Sequence, residues 1–116
     1  MKVAQYEIHV PYGKRQKVVL PDGTKVILNA GSYMKYPRQF GKEDRYVHFK
    51  GEAYFDVAKN KDCPFIIQSQ DYKIRVLGTT FNLNNYEDSE ELQLTLCTGK
   101  VLMLSLIHIS EPTRPY

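Results

Sequence analysis

The stretch Val47-His-Phe-Lys-Gly-Glu-Ala-Tyr-Phe-Asp-Val57 decides the fold. Val47, Phe49, Gly51, Ala53, Phe55 and Val57 take every second position, and His48, Lys50, Glu52, Tyr54 and Asp56 lie between them. Successive side chains of an extended chain point to opposite faces, so this period of two describes a strand with one face buried and one face wet. Glycine inside a strand often marks a bulge or corner, so the run reads either as one strand or as two strands bent at Gly51.

The same rhythm continues on both sides. Upstream, Gln16–Leu20 and Thr24–Leu28 flank Pro21-Asp-Gly23. Pro21 presets φ for a turn, Asp22 can bond nearby backbone, and Gly23 can take a positive φ, which together predict a β-hairpin. Asn29–Ser32 is a second turn, Tyr33–Tyr36 a short extended piece stopped by Pro37, and Pro37–Asp44 a loop. Downstream, Phe65–Gln68 reads as a strand after a charged loop. Tyr72, Ile74 and Val76 alternate with Lys73 and Arg75, then Phe81 and Leu83 with Asn82 and Asn84. Leu92, Leu94 and Leu96 alternate after a polar loop, and Thr98-Gly99 turns into Lys100–Met103. No window shows a period of 3.6. Eight or nine short strands at about 8–12-residue spacing predict an all-β fold, an antiparallel β-sandwich or β-roll.

The chain has 116 residues, which suits one domain. Apolar residues are 42%, charged residues 25% and the net charge is +3, an ordinary globular balance. Charges and aromatics do not interleave on one evident face of the sequence, so nucleic acid is not an expected partner. No apolar stretch reaches the ~18 residues of a spanning helix. The opening residues do not read as a secretory signal. Residues 1–103 are taken as the domain. Residues 104–116, which include Ser105-Leu-Ile-His-Ile-Ser-Glu-Pro-Thr-Arg-Pro-Tyr116, read as a non-native tail of the kind left by sequencing-adapter read-through, with a final strand over Val101–Ile109 as the alternative.

The candidates for chemistry are sparse. Glu52 and Asp56 share the wet face of one strand, which places their Cα atoms ~13 Å apart if it is straight; a solvated face with Lys50 as charge partner is the plainer reading. His48 with Glu52 resembles part of a metal-binding jelly-roll site, but His9 lies far away in sequence and His108 in the tail. Cys63 sits near Lys59 and Lys61, which could lower a thiol pKa, yet no base or oxyanion hole accompanies it. Cys63 and Cys97 permit one disulfide at most and lack metal-ligand spacing. Gly78-Thr-Thr80 follows a strand without a phosphate-loop pattern. No catalytic residue, cofactor or metal site is expected. Lys14, Arg15 and Lys17 form a basic cluster near Tyr12. Joined by Arg38, Lys42 and Arg45 they could make a patch for anionic partners; a charged rim on an edge strand explains them equally well.

Four ordered blocks add a resemblance. Leu20-Pro-Asp-Gly-Thr-Lys-Val-Ile-Leu-Asn-Ala-Gly-Ser32 with Tyr36-Pro37 resembles the opening of the FecR domain. Arg45-Tyr-Val-His-Phe-Lys-Gly-Glu-Ala-Tyr-Phe-Asp-Val-Ala58, with Pro64-Phe65 after it, resembles its central motif. Val76-Leu-Gly-Thr-Thr-Phe-Asn82 and Thr98-Gly-Lys-Val101 match the last two blocks, although the position before Gly99, often acidic in the family, is Thr98. The resemblance implies the periplasmic domain of an inner-membrane sensor that controls an extracytoplasmic-function sigma factor. Such sensors hold the sigma factor through a cytoplasmic N-terminal part, cross the membrane once, and receive a signal from a TonB-dependent outer-membrane transporter, commonly through a further C-terminal module. On this reading the chain is a fragment, acts by contact and not by catalysis, and touches the membrane only through a helix it does not carry. Lys14, Arg15, Lys17 and Tyr54, on wet faces and edges, are the expected interaction surface. The alternative is a small β-roll that binds a carbohydrate or metabolite, for which a concave aromatic surface would speak.

Overall fold

The structure, a computed structural model, describes residues 5–41, 45–70, 72–86, 91–99 and 101–106. Among them are ten strands and no helix: β1 (Gln5–His9), β2 (Gln16–Val19), β3 (Lys25–Leu28), β4 (Tyr33–Pro37), β5 (Arg45–Asp56), β6 (Phe65–Ser69), β7 (Tyr72–Val76), β8 (Thr80–Asn85), β9 (Gln93–Thr98) and β10 (Val101–Leu106). The all-β expectation holds, with a slightly higher strand count. Residues 107–116, most of the stretch set apart as a tail, lie outside the described residues.

The long alternating run belongs to two sheets. Its first half pairs with β4 and β6, in the order β1-β4-β5-β6-β7-β10. Its second half pairs with β3 and β8, in the order β2-β3-β5-β8-β9. The change falls at Gly51, whose φ is +108°. Ser32 fills the inside of the corner: its Oγ accepts from the Glu52 N–H and donates to the Glu52 carbonyl, both at 2.9 Å. A Cβ on Gly51 would stand 2.7 Å from Ser32 Cα, so both the conformation and the space demand glycine.

The bend is severe. A straight strand would carry Ala58 ~43 Å from Arg45 at ~3.3 Å per residue. Instead Arg45 Nη1 donates to the Ala58 carbonyl at 2.6 Å. The second half of β5 and the loop after it therefore act as a crossover, and β6 returns to lie parallel to the first half of β5. A parallel pair needs a connection of about a dozen residues, which this arrangement supplies without a helix. The other pairings are antiparallel.

The two inner faces close on the apolar set of the alternation. All five phenylalanines, Phe40, Phe49, Phe55, Phe65 and Phe81, are buried and linked ring to ring. Phe55 is the hub: it stacks on Phe81 at 5.2 Å and meets Phe49 and Phe65 edge-on at 5.4 and 6.3 Å. Such pairs contribute roughly 0.5–1.5 kcal/mol each beyond their buried area.

Beside this core lies a buried guanidinium. Arg45 is 1% exposed, so it contributes nothing to a surface patch, contrary to the sequence expectation. Nε donates to the Cys63 carbonyl at 2.6 Å, Nη2 to those of Leu77 and Asn60 at 3.0 and 3.3 Å, and Nη1 to Asp22 Oδ2 at 3.0 Å as well as to Ala58. Asp22 also orders its own turn, accepting from the Thr24 N–H at 2.9 Å and the Thr24 hydroxyl at 2.7 Å. Thr24 Oγ1 in turn accepts from the Ala58 N–H at 3.0 Å. The hairpin turn read from Pro21-Asp-Gly23 is present, with Gly23 at φ +93° and its N–H bonded to the Leu20 carbonyl at 2.9 Å. No disulfide joins Cys63 to Cys97.

Arg45→Lys keeps the charge but removes the planar fork that serves four carbonyls, and is expected to destabilise the domain by about 3 kcal/mol. Gly51→Ala, which forces a positive φ on a side chain and drives it into Ser32, should cost at least about 3 kcal/mol. Urea-unfolding midpoints check both; variants within experimental scatter of the parent would contradict the corner and the guanidinium cage.

Candidate interaction surfaces

The outer face of the second sheet collects most of the residues expected to make contacts. Lys17, Ile27, Tyr54 and Asn82 form one row across β2, β3, β5 and β8. Tyr54 is 37% exposed and Val19, next on β2, is 59% exposed. Arg15 joins this face through a relay of amides: its Nε donates to Asn29 Oδ1 at 3.1 Å, and Asn29 Nδ2 donates to Glu52 Oε1 at 2.9 Å. Asn82 Nδ2 donates to the other carboxylate oxygen at 3.1 Å. Glu52 thus ties β3 and β8 to β5. Asp56 accepts from the Thr80 hydroxyl at 3.4 Å, so the two carboxylates serve different strand neighbours. Lys14 is exposed in the turn ahead of β2, where its N–H bonds the Pro11 carbonyl at 3.2 Å. Of the wider patch considered from sequence, Arg38 is exposed with its guanidinium 5.9 Å from the Tyr6 ring centroid, Arg45 is buried, and Lys42 lies outside the described residues.

The outer face of the first sheet overturns one expectation. Its strands bring Lys35, Lys50, Lys73 and Arg75 among the rings of His9, Tyr33, Tyr46 and His48, so cations and aromatics do interleave on one face. Glu7, Lys35, His48, Gln68 and Lys73 form a single row across five strands. Lys50 Nζ lies 5.6 Å from the Tyr33 centroid and Lys73 Nζ 5.5 Å from that of Tyr46. The Tyr33 hydroxyl donates to Glu7 Oε2 at 3.0 Å, and the Tyr46 hydroxyl donates to Gln68 Oε1. Partial burial, and behind it Lys35, hold the His48 imidazole below its ordinary pKa of 6.5. Burial and the Glu7 carboxylate push the Tyr33 phenol up. His48 and Glu52 lie in different sheets, on either side of the Gly51 corner.

A cleft of about 770 Å³ opens where β5 bends. Tyr12, Tyr33, Tyr86, His9 and Lys50 line it above Gly31 and Gly51. Tyr86 is fixed by donating to the Ala30 carbonyl at 2.9 Å, while Tyr12 is 88% exposed. Among the described residues no group of three or more His, Cys, Asp and Glu side chains converges, and no helix is long and apolar enough to cross a membrane.

The family model for FecR protein matches residues 6–102. The chain belongs to the FecR family. Two crystal structures of a candidate anti-sigma factor from Parabacteroides distasonis resemble it closely: one with a TM-score of 0.83 and 39% identity over 89% of this chain, the other with 0.82 and 40% over 87%. The chain spans about half of each, 48% and 47% of their lengths. No curated protein matches the sequence. The blocks that carried the resemblance now have physical content. The Leu20–Ser32 block of the FecR domain holds Asp22, Thr24, Asn29 and Ser32, and the Arg45–Ala58 block holds the guanidinium, the corner glycine and Glu52. The motif residues with assigned contacts build the fold.

Removing Lys35 tests the electrostatics of the first-sheet face. Lys35→Gln should move the His48 titration upward toward 6.5, followed through the imidazole resonances by NMR. Because folding lowers this pKa, the unfolded chain binds the proton more tightly. The His48 contribution to stability is therefore present above pH 6.5 and is withdrawn as the pH falls from there through the folded value. An unchanged titration in the variant would contradict the Lys35 contact.

Proposed function

We propose that this FecR domain is the signal-relay domain of an anti-sigma regulator. On this reading it stands in the periplasm as part of an inner-membrane protein and acts with a TonB-dependent outer-membrane transporter and an extracytoplasmic-function sigma factor. The observation that carries the reading is the family match over residues 6–102, joined to a fold shared with a candidate anti-sigma factor about twice as long. The physical character of the domain supports it. One strand is built into both sheets, and a buried guanidinium locks the loops at one end. Such a body is suited to passing contacts between neighbours. Its partners would be the remaining modules of the same sensor, the signalling domain of the transporter and, through the cytoplasmic part, the sigma factor. Lys14, Arg15, Lys17 and Tyr54 are proposed as one contact surface. Arg15, Lys17 and Tyr54 face outward together on the second sheet, and Lys14 flanks them.

A second reading, direct binding of a carbohydrate or metabolite, is favoured by the cleft between Tyr12, Tyr33 and Tyr86. Calorimetric titration of the domain with soluble oligosaccharides separates the two, since the relay reading requires no uptake of heat or ligand there.

The relay reading is tested in the full regulator with a sigma-dependent transcriptional reporter. Deleting residues 6–102 should uncouple the reporter from the inducing nutrient, and Lys14→Glu with Arg15→Glu, Lys17→Glu and Tyr54→Ala should reduce its response several-fold. Normal induction after the deletion would reject the relay role; normal induction in the quadruple variant would reject this surface.

A further inference from the structure

The outer face of the first sheet has a chemistry that the relay reading leaves unused. Four cations, Lys35, Lys50, Lys73 and Arg75, share it with one carboxylate, Glu7, among the described residues. Neighbouring strands are ~4.8 Å apart, so Lys35 on β4 and Lys73 on β7 stand ~14 Å apart on a rigid lattice, with Arg75 one strand repeat beyond Lys73. Two of the ammonium groups are held in place, Lys50 over Tyr33 and Lys73 over Tyr46. A side chain already settled on a ring loses less freedom when a partner arrives.

The same contacts select the kind of partner. Single-stranded nucleic acid and sugars bind aromatic faces by stacking on them. Here Tyr33 already carries Lys50 and, at 4.7 Å, the His9 ring; Tyr46 carries Lys73 and, at 5.3 Å, the His48 ring. The rings are occupied within the fold and serve to position charge. A lipid surface calls for exposed apolar anchors. Among the residues whose side chains are described, the exposed large apolar ones, Tyr6, Tyr12, Val19, Tyr54 and Leu96, stand outside the cation rows of this face. What fits is an ordered, broad array of carboxylates.

We propose that the outer face of the first sheet, built around Lys35, Lys73 and Arg75, is a docking surface for an acidic face of a partner protein. It is distinct from the Lys17–Tyr54 surface, which lies on the outside of the other sheet. Charge complementarity of this kind steers encounter and fixes orientation more than it adds raw affinity, so binding will be salt-dependent.

The test uses the 116-residue chain and a fluorescent deca-glutamate peptide as the acidic probe, read by anisotropy at low salt. Saturable binding is expected, with at least a tenfold loss in the Lys35→Glu, Lys73→Glu, Arg75→Glu variant and less than twofold in a Lys25→Glu control, an exposed position on the other sheet. Unchanged urea midpoints establish that the variants are folded. Should the triple variant unfold, the parent protein still decides: the probe must raise the His48 titration, because carboxylates docked beside it favour the imidazolium. Equal loss in both variants, an unmoved His48 titration, or tighter binding of a single-stranded deca-thymidine or of phosphatidylglycerol vesicles than of the peptide would overturn the proposal.

Discussion

The arrangement of this domain depends on how one guanidinium is satisfied out of water. Arg45 brings a full charge to a site that is 1% exposed, where an unpartnered cation would be prohibitively unfavourable. Its five donor contacts come from Asp22 and from four carbonyls spread over Ala58, Asn60, Cys63 and Leu77. Each partner lies on a different or irregular piece of chain, so the charge is compensated only when the hairpin turn, the loop after β5 and the end of β7 are all in place. The fork geometry of arginine makes this possible, and a lysine point charge would not. Such a group adds less to net stability than its bonds suggest, because desolvation offsets them. Its effect is to exclude other arrangements of the same loops.

The corner at Gly51 answers the same requirement from the other side. Arg45 can reach Ala58 only if β5 doubles back, and β5 doubles back around Ser32. The bend then brings Phe49 of one sheet against Phe55 of the other, so the aromatic core and the polar cage close together. Asn29 and Asn82 hold Glu52 on the outside of the same corner, which keeps β3 and β8 in register with the second half of the strand.

Much of this was legible in the sequence, and the reasons for the rest are specific. The period of two from Val47 to Val57 and the Pro21-Asp-Gly23 turn rest on local rules, and both are present as read. Gly51 was visible as a corner because glycine inside such a run needs an explanation. β1 was not legible: Gln5–His9 is exposed at four of its five positions and owes its strand to pairing with β4, not to any pattern of its own. Arg45 looked like a surface cation because composition assigns arginine outward; only the return of the Ala58–Cys63 loop buries it. The cations and rings of the first-sheet face were each on wet positions, but neighbourhood across strands follows from pairing. The parallel alignment of β5 with β6, which sets His48 beside Gln68 and thence Lys73, requires a crossover that alternation does not encode.

The shared strand has a mechanical corollary. Covalent chain runs unbroken from one layer into the other, so the layers cannot shear past each other without breaking the ladders on both sides of Gly51. A load applied at either surface crosses the seam through peptide bonds, and the body answers by tilting or translating whole. Amide protons of the two layers are correspondingly expected to share one slow exchange regime, that of global opening. A module built this way has little freedom to slide one layer over the other.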